Sequence, residues 1–281
     1  MNSEHCNIVH ACSYTTGPAE WLTGFPLLLL PFVVRVCWAA ANVMYVHASW
    51  RHKSYRGVPI SALYYFVPWL VVYKISNIPD MSATDAILSV ICFVASVLQI
   101  MQYLKYNVSS EWSTFRNGTN QKERIVAFSQ LFWNLELLIV MVGIFISFRT
   151  GFNDVTGTYG AFNMNTYMSS NFLWHLITKP SEADDTFATL WPGVLRGVGS
   201  FAASVLAWGQ IDHNFDLVTQ YLCIIIADVF FIMLSVILRT TSKKGDCEKL
   251  SNEVDCEKLS NEVDCEYIPV VCTAVAADTP K

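Results

Sequence analysis

Two carboxylic acids interrupt the long apolar runs of this sequence, and they are the residues best suited to chemistry. Asp228 lies between the apolar residues 221–227 and 229–238, and Glu136 lies within LFWNLELLIV. An ionisable side chain at bilayer depth costs about 2.5–3.5 kcal/mol or more, so it usually faces a cavity or a partner. A carboxyl group that finds no ion partner there stays neutral and can act as a general acid. The sequence therefore predicts Asp228 and Glu136 as catalytic acids.

Each acid also has a purely structural explanation. Asp228 shares one helix face with four other residues, and that face could pack on a neighbouring helix that supplies Arg196 or Arg35 as an ion partner. The other members of the face are Tyr221, Ile224, Phe231 and Ser235. Glu136 has Ser129 and Trp133 on its face and Gln130 and Asn134 beside it, which also suits a polar contact between helices.

Aromatic residues recur at helical spacing on two of the apolar runs. Tyr65, Trp69 and Tyr73 form one stripe, and Tyr167 and Trp174 belong to a second. Such stripes are commonly packing surfaces or interface anchors. Facing inward beside an acid, however, the rings would stabilise a carbocation. The candidates for this role are Trp69, Tyr65, Trp133 and Tyr221, and Asn134 is the candidate for orienting a polar group.

The composition indicates a membrane protein. Of 281 residues 53% are hydrophobic and 15% are charged, and the mean hydropathy is +0.36, whereas a soluble domain carries about 25% charge. The net charge of -5 gives no support for a nucleic-acid partner. The sequence has neither paired Cys/His spacing for a metal nor a phosphate-binding glycine motif, so we expect no metal and no cofactor.

Seven segments have the length and composition of membrane spans, which need about 20 mostly apolar residues. They cover residues 25–47, 59–76, 84–104, 125–148, 159–177, 189–208 and 217–238. The fifth is the weakest because Asn163, Asn165, Asn171 and His175 interrupt it, so six spans and a re-entrant segment is an alternative. We predict an all-α, polytopic membrane protein that folds as a seven-transmembrane-helix bundle.

Basic residues gather in alternate connections between the predicted spans. Arg51, Lys53 and Arg56 follow the first span, and Lys243 and Lys244 follow the seventh. Basic loops face the cytosol, so the N-terminus is expected in the lumen and the C-terminus in the cytosol, in the endoplasmic reticulum. The loop that contains the sequons Asn107-Val-Ser and Asn117-Gly-Thr is then cytosolic and carries no sugar.

The chain divides into two predicted parts. Residues 1–244 form the seven-helix transmembrane domain, and residues 245–281 form a cytosolic tail. The tail contains DCEKLSNEV twice, from Asp246 and from Asp255, and a third DCE from Asp264. A nine-residue unit is too short to bury a core as solenoid repeats do, so we expect the tail to be disordered.

Three stretches resemble the small integral membrane terpene cyclases of fungi, which have seven helices and act in meroterpenoid and indole-diterpene biosynthesis. SYRGVPISALYYFVPWLVVY, from Ser54 to Tyr73, resembles their second helix; GVLRGVGSF, from Gly193, resembles the start of their sixth. IIIADVFFIMLSVILR resembles their last helix, with Asp228 at the position of the family's acid. The second helix of the family has Glu after Trp, whereas this chain has Leu70 after Trp69.

The resemblance implies protonation of a terminal epoxide or alkene on a prenylated, farnesyl-type aromatic substrate, followed by cyclisation through carbocations. An upstream prenyltransferase and an epoxidase would supply that substrate. Leu70 stands in place of one family acid, so the protein would use Asp228 alone, recruit Glu136 from another helix, or use a different means of protonation. The alternative function is a proton- or cation-coupled transporter of small molecules that uses the two buried carboxylates.

Overall fold

The computed structural model describes residues 25–151, 157–178, 188–210 and 215–253, together with Pro180 and Asp185. The regular structure in these ranges is helical, so the all-α prediction is confirmed there. The α-helices are α1 (Phe25–His52), α2 (Ile60–Tyr73), α3 (Ala83–Tyr103), α4 (Ser109–Asn117), α5 (Gln121–Thr150), α6 (Thr158–Thr178), α7 (Leu190–Gln210) and α8 (Phe215–Glu253). A 3₁₀-helix, Ile75–Asp80, follows α2, and a π-helical turn, Leu104–Val108, joins α3 to α4.

Five stretches of the described helices are long and apolar enough to cross a membrane. They are Leu29–His52, Ala83–Asn117, Gln121–Thr150, Leu190–Trp208 and Val218–Thr241. The second of these stretches runs across α3 and α4, and the others lie on α1, α5, α7 and α8. They correspond to the first, third, fourth, sixth and seventh predicted spans. Membrane character is thus supported, whereas the seven-span topology is not established.

The two remaining predicted spans lie on α2 and α6, which fall short for different reasons. α2 has 14 residues, about 21 Å at 1.5 Å per residue, less than the hydrocarbon core of about 30 Å. α6 has 21 residues, but the asparagines and hydroxyl side chains in it lower its mean hydropathy. Both helices nevertheless begin and end within a few residues of the predicted bounds.

Large apolar side chains cover the outward faces of the long helices. Examples are Val94 on α3, Phe132 and Ile139 on α5, and Phe230 on α8, which are 48%, 60%, 65% and 56% exposed. Monomeric soluble proteins rarely expose continuous apolar patches of this kind. These faces are therefore compatible with contact with acyl chains.

The helices pack so that α2 lies among three neighbours. α1 contacts α3 and α7, α8 contacts α6 and α7, and α2 contacts α3, α5 and α6. The main buried cluster lies where α1, α2, α6 and α8 approach one another, and Tyr45, Leu63, Met168 and Phe231 are among its members. Three of these helices, α1, α6 and α8, together with α7, contribute the residues of the candidate site.

The inward face predicted for the last apolar run is present on α8. Tyr221, Ile224, Asp228, Phe231 and Ser235 are all buried, with at most 6% exposure. α8 continues past residue 244, where we expected the transmembrane domain to end, and includes the first tail repeat except for its last residue, Val254. Residues 254–281 lie outside the described residues, so disorder of the tail stays a prediction.

Candidate functional site

Asp228 forms a buried ion pair with Arg196. Its Oδ1 atom accepts two hydrogen bonds from the guanidinium group, from Nε at 3.1 Å and from Nη2 at 2.6 Å. Arg196 is 0% exposed and Asp228 is 2% exposed. Of the two explanations that the sequence allowed, the ion pair is therefore present, with Arg196 as the partner. We expected a carboxyl group without an ion partner at Asp228, whereas α7 places the guanidinium group of Arg196 against it.

Three aromatic rings surround this ion pair. The Cζ atom of Arg196 lies 4.1 Å from the ring centroid of Phe172 and 5.1 Å from that of Phe231. Tyr45 stacks on Phe172, with ring centroids 5.3 Å apart and an interplanar angle of 15°. The ring faces stabilise the guanidinium charge where water cannot reach it. We refer to Tyr45, Phe172, Arg196, Asp228 and Phe231 as the ion-pair cluster.

The ion-pair cluster retains unused hydrogen-bonding capacity. Arg196 Nη1 and Asp228 Oδ2 are buried and have no hydrogen-bond partner within the described part of the chain, and the buried Tyr45 hydroxyl donates to no acceptor there. Arg196 interacts with the Tyr45 oxygen both as a hydrogen-bond donor and as a positive charge, and Asp228 interacts with it as a negative charge. Buried polar atoms are normally hydrogen-bonded, and each one left without a partner costs about 1–3 kcal/mol. Unused donors or acceptors on three residues in one cluster are typical of a place where a further polar group binds.

A cavity of about 370 Å³ lies beside the cluster, where the α1–α2 loop meets the ends of α6 and α7. We call it the loop cavity. Tyr45, Phe172 and Phe231 form part of its wall, and Tyr55 and Asn171 add polar groups. Arg196 and Asp228 lie behind the phenyl rings. Tyr55 donates a hydrogen bond to the Val58 carbonyl oxygen, and burial, together with nearby tyrosines, raises its pKa well above the ordinary value.

A second cavity, of about 360 Å³, lies among α1, α2, α3, α6 and α7. We call it the aromatic cavity, because Trp38, Phe66, Trp69 and Phe162 line it. The Trp69 indole N–H donates a hydrogen bond of 2.9 Å to the Gly157 carbonyl oxygen, which fixes the orientation of the ring. Arg35 and Lys74 also line this cavity, as does Leu70, which stands where the resemblance would place a glutamate.

Neighbouring residues line the two cavities. On α1, Asn42 lines the aromatic cavity and Tyr45 lines the loop cavity, and in the α1–α2 loop Val58 lines the former while Gly57 lines the latter. Gln99 links α1 to this loop through two hydrogen bonds. Its Oε1 atom accepts the Val58 N–H at 2.9 Å, and its Nε2 atom donates to Asn42 Oδ1 at 2.9 Å.

Three predicted site residues lie on α5, apart from both cavity walls. Glu136 is exposed, and so is Trp133, at 63%. The Asn134 side chain accepts a hydrogen bond from the Tyr103 hydroxyl and donates one of 2.9 Å to the Gln130 carbonyl oxygen. α5 therefore turns these residues outward or towards α3 and not into the bundle.

The other predicted residues lie within the bundle. Trp69 lines the aromatic cavity, and Tyr65 is 1% exposed with its ring edge-on to Phe145 at 5.7 Å. Tyr221 is buried against Phe162, with centroids 4.7 Å apart. The sequence analysis missed Tyr45. Its signal was a hydroxyl-bearing aromatic ring within the apolar part of α1, but its neighbours Arg196 and Asp228 come from distant parts of the chain.

Comparisons of the chain with protein-family models, with curated proteins and with solved structures give no match. Among the described residues, no group of three or more His, Cys, Asp or Glu side chains could hold a metal ion. The fold and the site thus define an all-helical protein with apolar helices suited to a membrane, two internal cavities and a buried ion pair between helices.

Proposed function

We propose that the protein is an integral membrane terpene cyclase that opens the terminal epoxide of a prenylated aromatic compound and cyclises its isoprenoid chain. One observation carries the proposal: Tyr45, whose buried hydroxyl lies next to Arg196 and donates to no acceptor in the described residues, is part of the wall of a cavity that two phenyl rings also line. The resemblance of three stretches to membrane terpene cyclases adds support from the sequence.

Tyr45 is the proton donor in this proposal. Its hydroxyl gives its proton to the epoxide oxygen as the C–O bond at the more substituted carbon breaks, and Arg196 stabilises the resulting phenolate. The next alkene attacks the cationic carbon and forms a C–C bond, and this step repeats along the chain. The last carbocation then loses a proton and the Tyr45 phenolate takes one up, which restores the hydroxyl group and gives a product that is an isomer of the substrate.

A tyrosine donor favours an epoxide over an alkene as the group that is protonated. An epoxide oxygen accepts a hydrogen bond before its C–O bond breaks, so a weak acid can assist the opening, whereas an alkene carbon needs a much stronger acid. The faces of Phe172 and Phe231 carry the negative part of the ring quadrupole and suit the positive charge that follows.

Asp228 has a positioning role in this mechanism and does not donate the proton itself. It holds Arg196 through Nε and Nη2 and leaves Nη1 unpaired. Loss of the carboxylate would let the guanidinium group move away from Tyr45. The acid that the sequence singled out would thus act through its neighbour.

The test is conversion of an epoxyfarnesylated phenol into an isomer of equal mass by membranes that contain the protein. Tyr45→Phe removes one hydroxyl group, and we expect it to lower the initial rate by about 100-fold or more, the usual contribution of a general acid. Tyr64→Phe is the matched control, because Tyr64 is a buried tyrosine of the same core that lies outside both cavity walls.

Two results would count against the proposal. One is wild-type membranes that form no isomer from a panel of epoxyfarnesylated phenols. The other is a Tyr45→Phe protein that accumulates normally and keeps the wild-type rate. Asp228→Asn should also slow the reaction and, because it acts on the position of Arg196, leave some activity.

A transporter is the second candidate, and the arrangement of the two cavities favours it. Neighbouring residues of α1 and of the α1–α2 loop line the two cavities, and alternating access needs two such adjoining spaces. Purified protein in liposomes distinguishes the two functions. Accumulation of unchanged substrate inside the vesicles, without an isomer, would favour transport over cyclisation.

A further inference from the structure

The mouth of the aromatic cavity carries an excess of positive charge. Arg35 and Lys74 both line the cavity. Arg35 forms an ion pair with Asp85, whereas Lys74 has no ion pair within the described residues, and its ammonium group lies over the Trp69 ring, 5.4 Å from the centroid. Among the side chains that the structure describes, Arg35 and Lys74 against Asp85 give a net charge of +1 at this end of the cavity.

The rest of the cavity suits an isoprenoid chain. Trp38, Phe66 and Phe162 provide aromatic surface along its walls. Ten residues of α1 separate Arg35 at the mouth from Tyr45 in the ion-pair cluster, which is about 15 Å at 1.5 Å per residue. An extended chain of three isoprene units has a comparable length.

We propose that the aromatic cavity binds an amphiphile whose ionised acidic head group lies against Lys74 and Arg35 and whose isoprenoid chain lies against the aromatic rings. This assignment of the substrate class rests on the proposed cyclase function, since it directs the far end of the chain towards Asn42, which lies about one helical turn before Tyr45 on α1. A charged oxygen attracts both cations and forms charge-assisted hydrogen bonds, whereas an ester lacks that charge.

The test compares binding of a farnesylated hydroxybenzoic acid and of its methyl ester to the full chain in detergent micelles, by equilibrium dialysis. We expect the wild-type protein to bind the acid about tenfold more tightly than the ester, as one charge-assisted hydrogen bond would give. Lys74→Gln should remove most of this preference, because the affinity for the acid falls and the affinity for the ester stays. Lys74→Arg should preserve the preference.

Lys105→Gln is the matched control. It removes an exposed lysine that lies over the Tyr106 ring, near the end of α3 and outside the cavity wall. Equal affinity of the wild-type protein for acid and ester would overturn the proposal. So would an acid preference that Lys74→Gln leaves intact in a protein that still binds the ester.

The two proposals can fail separately because binding and turnover are measured independently. Selective binding of the acid without any isomer from its epoxide would refute the cyclase and leave the ligand class standing. Isomer formation with equal affinity for acid and ester would refute the charged head group and leave the cyclase standing.

Discussion

At the scale of single residues, the buried Arg196–Asp228 ion pair has a large desolvation cost and a specific positioning role. Removing two charges from water costs several kcal/mol per ion, and a buried ion pair often contributes no more than apolar residues of similar volume. The ion pair between α7 and α8 is therefore better explained by a role in positioning Tyr45, whose hydroxyl interacts with both charges.

This argument predicts an ordering of stabilities. Asp228→Leu leaves the buried guanidinium group of Arg196 without a counter-charge, and we expect it to destabilise the protein by about 3–5 kcal/mol. The double variant Arg196→Met/Asp228→Leu replaces both charges by apolar groups and should recover much of that loss. Heating in detergent, followed by size-exclusion chromatography, should therefore give the highest apparent melting temperature for the wild type, a lower one for the double variant and the lowest for Asp228→Leu.

A second comparison separates stability from chemistry. If the double variant folds but forms no isomer, the pair is needed for function and not for folding. A single Asp228→Leu variant that melts with the wild type would mean that the guanidinium group finds another partner, and the positioning role would be refuted.

At the scale of elements, the connection into α6 is what fixes the wall of the aromatic cavity. Gly157 has a φ of 71°, and its carbonyl oxygen receives the Trp69 indole N–H from α2. A Cβ atom at this position would lie 2.5 Å from Trp69 Nε1 and 2.8 Å from the Tyr73 ring. Only glycine fits both the backbone conformation and the space.

Gly157→Ala should consequently destabilise the protein and disturb the cavity. The left-handed backbone alone costs a residue with a Cβ about 1–2 kcal/mol, and the contact with Trp69 adds to it. We expect a lower melting temperature and weaker binding of the farnesylated acid. Gly143→Ala on α5 is the control, since its Cβ would meet nothing within 4 Å; it should be neutral or slightly stabilising. Equal behaviour of the two variants would contradict this account of Gly157.

The sequence predicted the helices well because their signal is local. Apolar runs and their interruptions located the long helices to within several residues, apart from the end of α8, which continues to Glu253 where we predicted an end at residue 238. The spacing of Tyr221, Ile224 and Asp228 identified the inward face of α8. The orientation of α5 could not be predicted, because Glu136 and Trp133 share a helix whose apolar residues occur on every side. The pairing of α7 with α1 and α8, which brings Arg196 to Tyr45 and Asp228, depends on tertiary contacts that no short pattern encodes.

At the scale of the whole molecule, the loop cavity and the cations of the aromatic cavity lie towards opposite ends of the helix bundle. The loop cavity lies at the end with the α1–α2 loop, where Arg51, Lys53 and Arg56 follow α1. The cations Arg35 and Lys74 mark the other end of the aromatic cavity. The distribution of basic residues places the loop cavity on the cytosolic side in our proposed topology, so an acidic head group at Lys74 would lie towards the lumen.

The two natural sequons test this orientation directly. In the proposed topology Asn107 and Asn117 face the cytosol, so the wild-type protein made in a eukaryotic host should not change in mass on treatment with an endoglycosidase. Val9→Thr creates the sequon Asn7-Ile-Thr ahead of α1, on the side that we assign to the lumen, and this variant should gain a glycan that the enzyme removes. The variant shows that the host glycosylates the protein when a sequon is accessible. A glycan on Asn107 or Asn117 of the wild-type protein would invert the topology and move the loop cavity to the lumenal side.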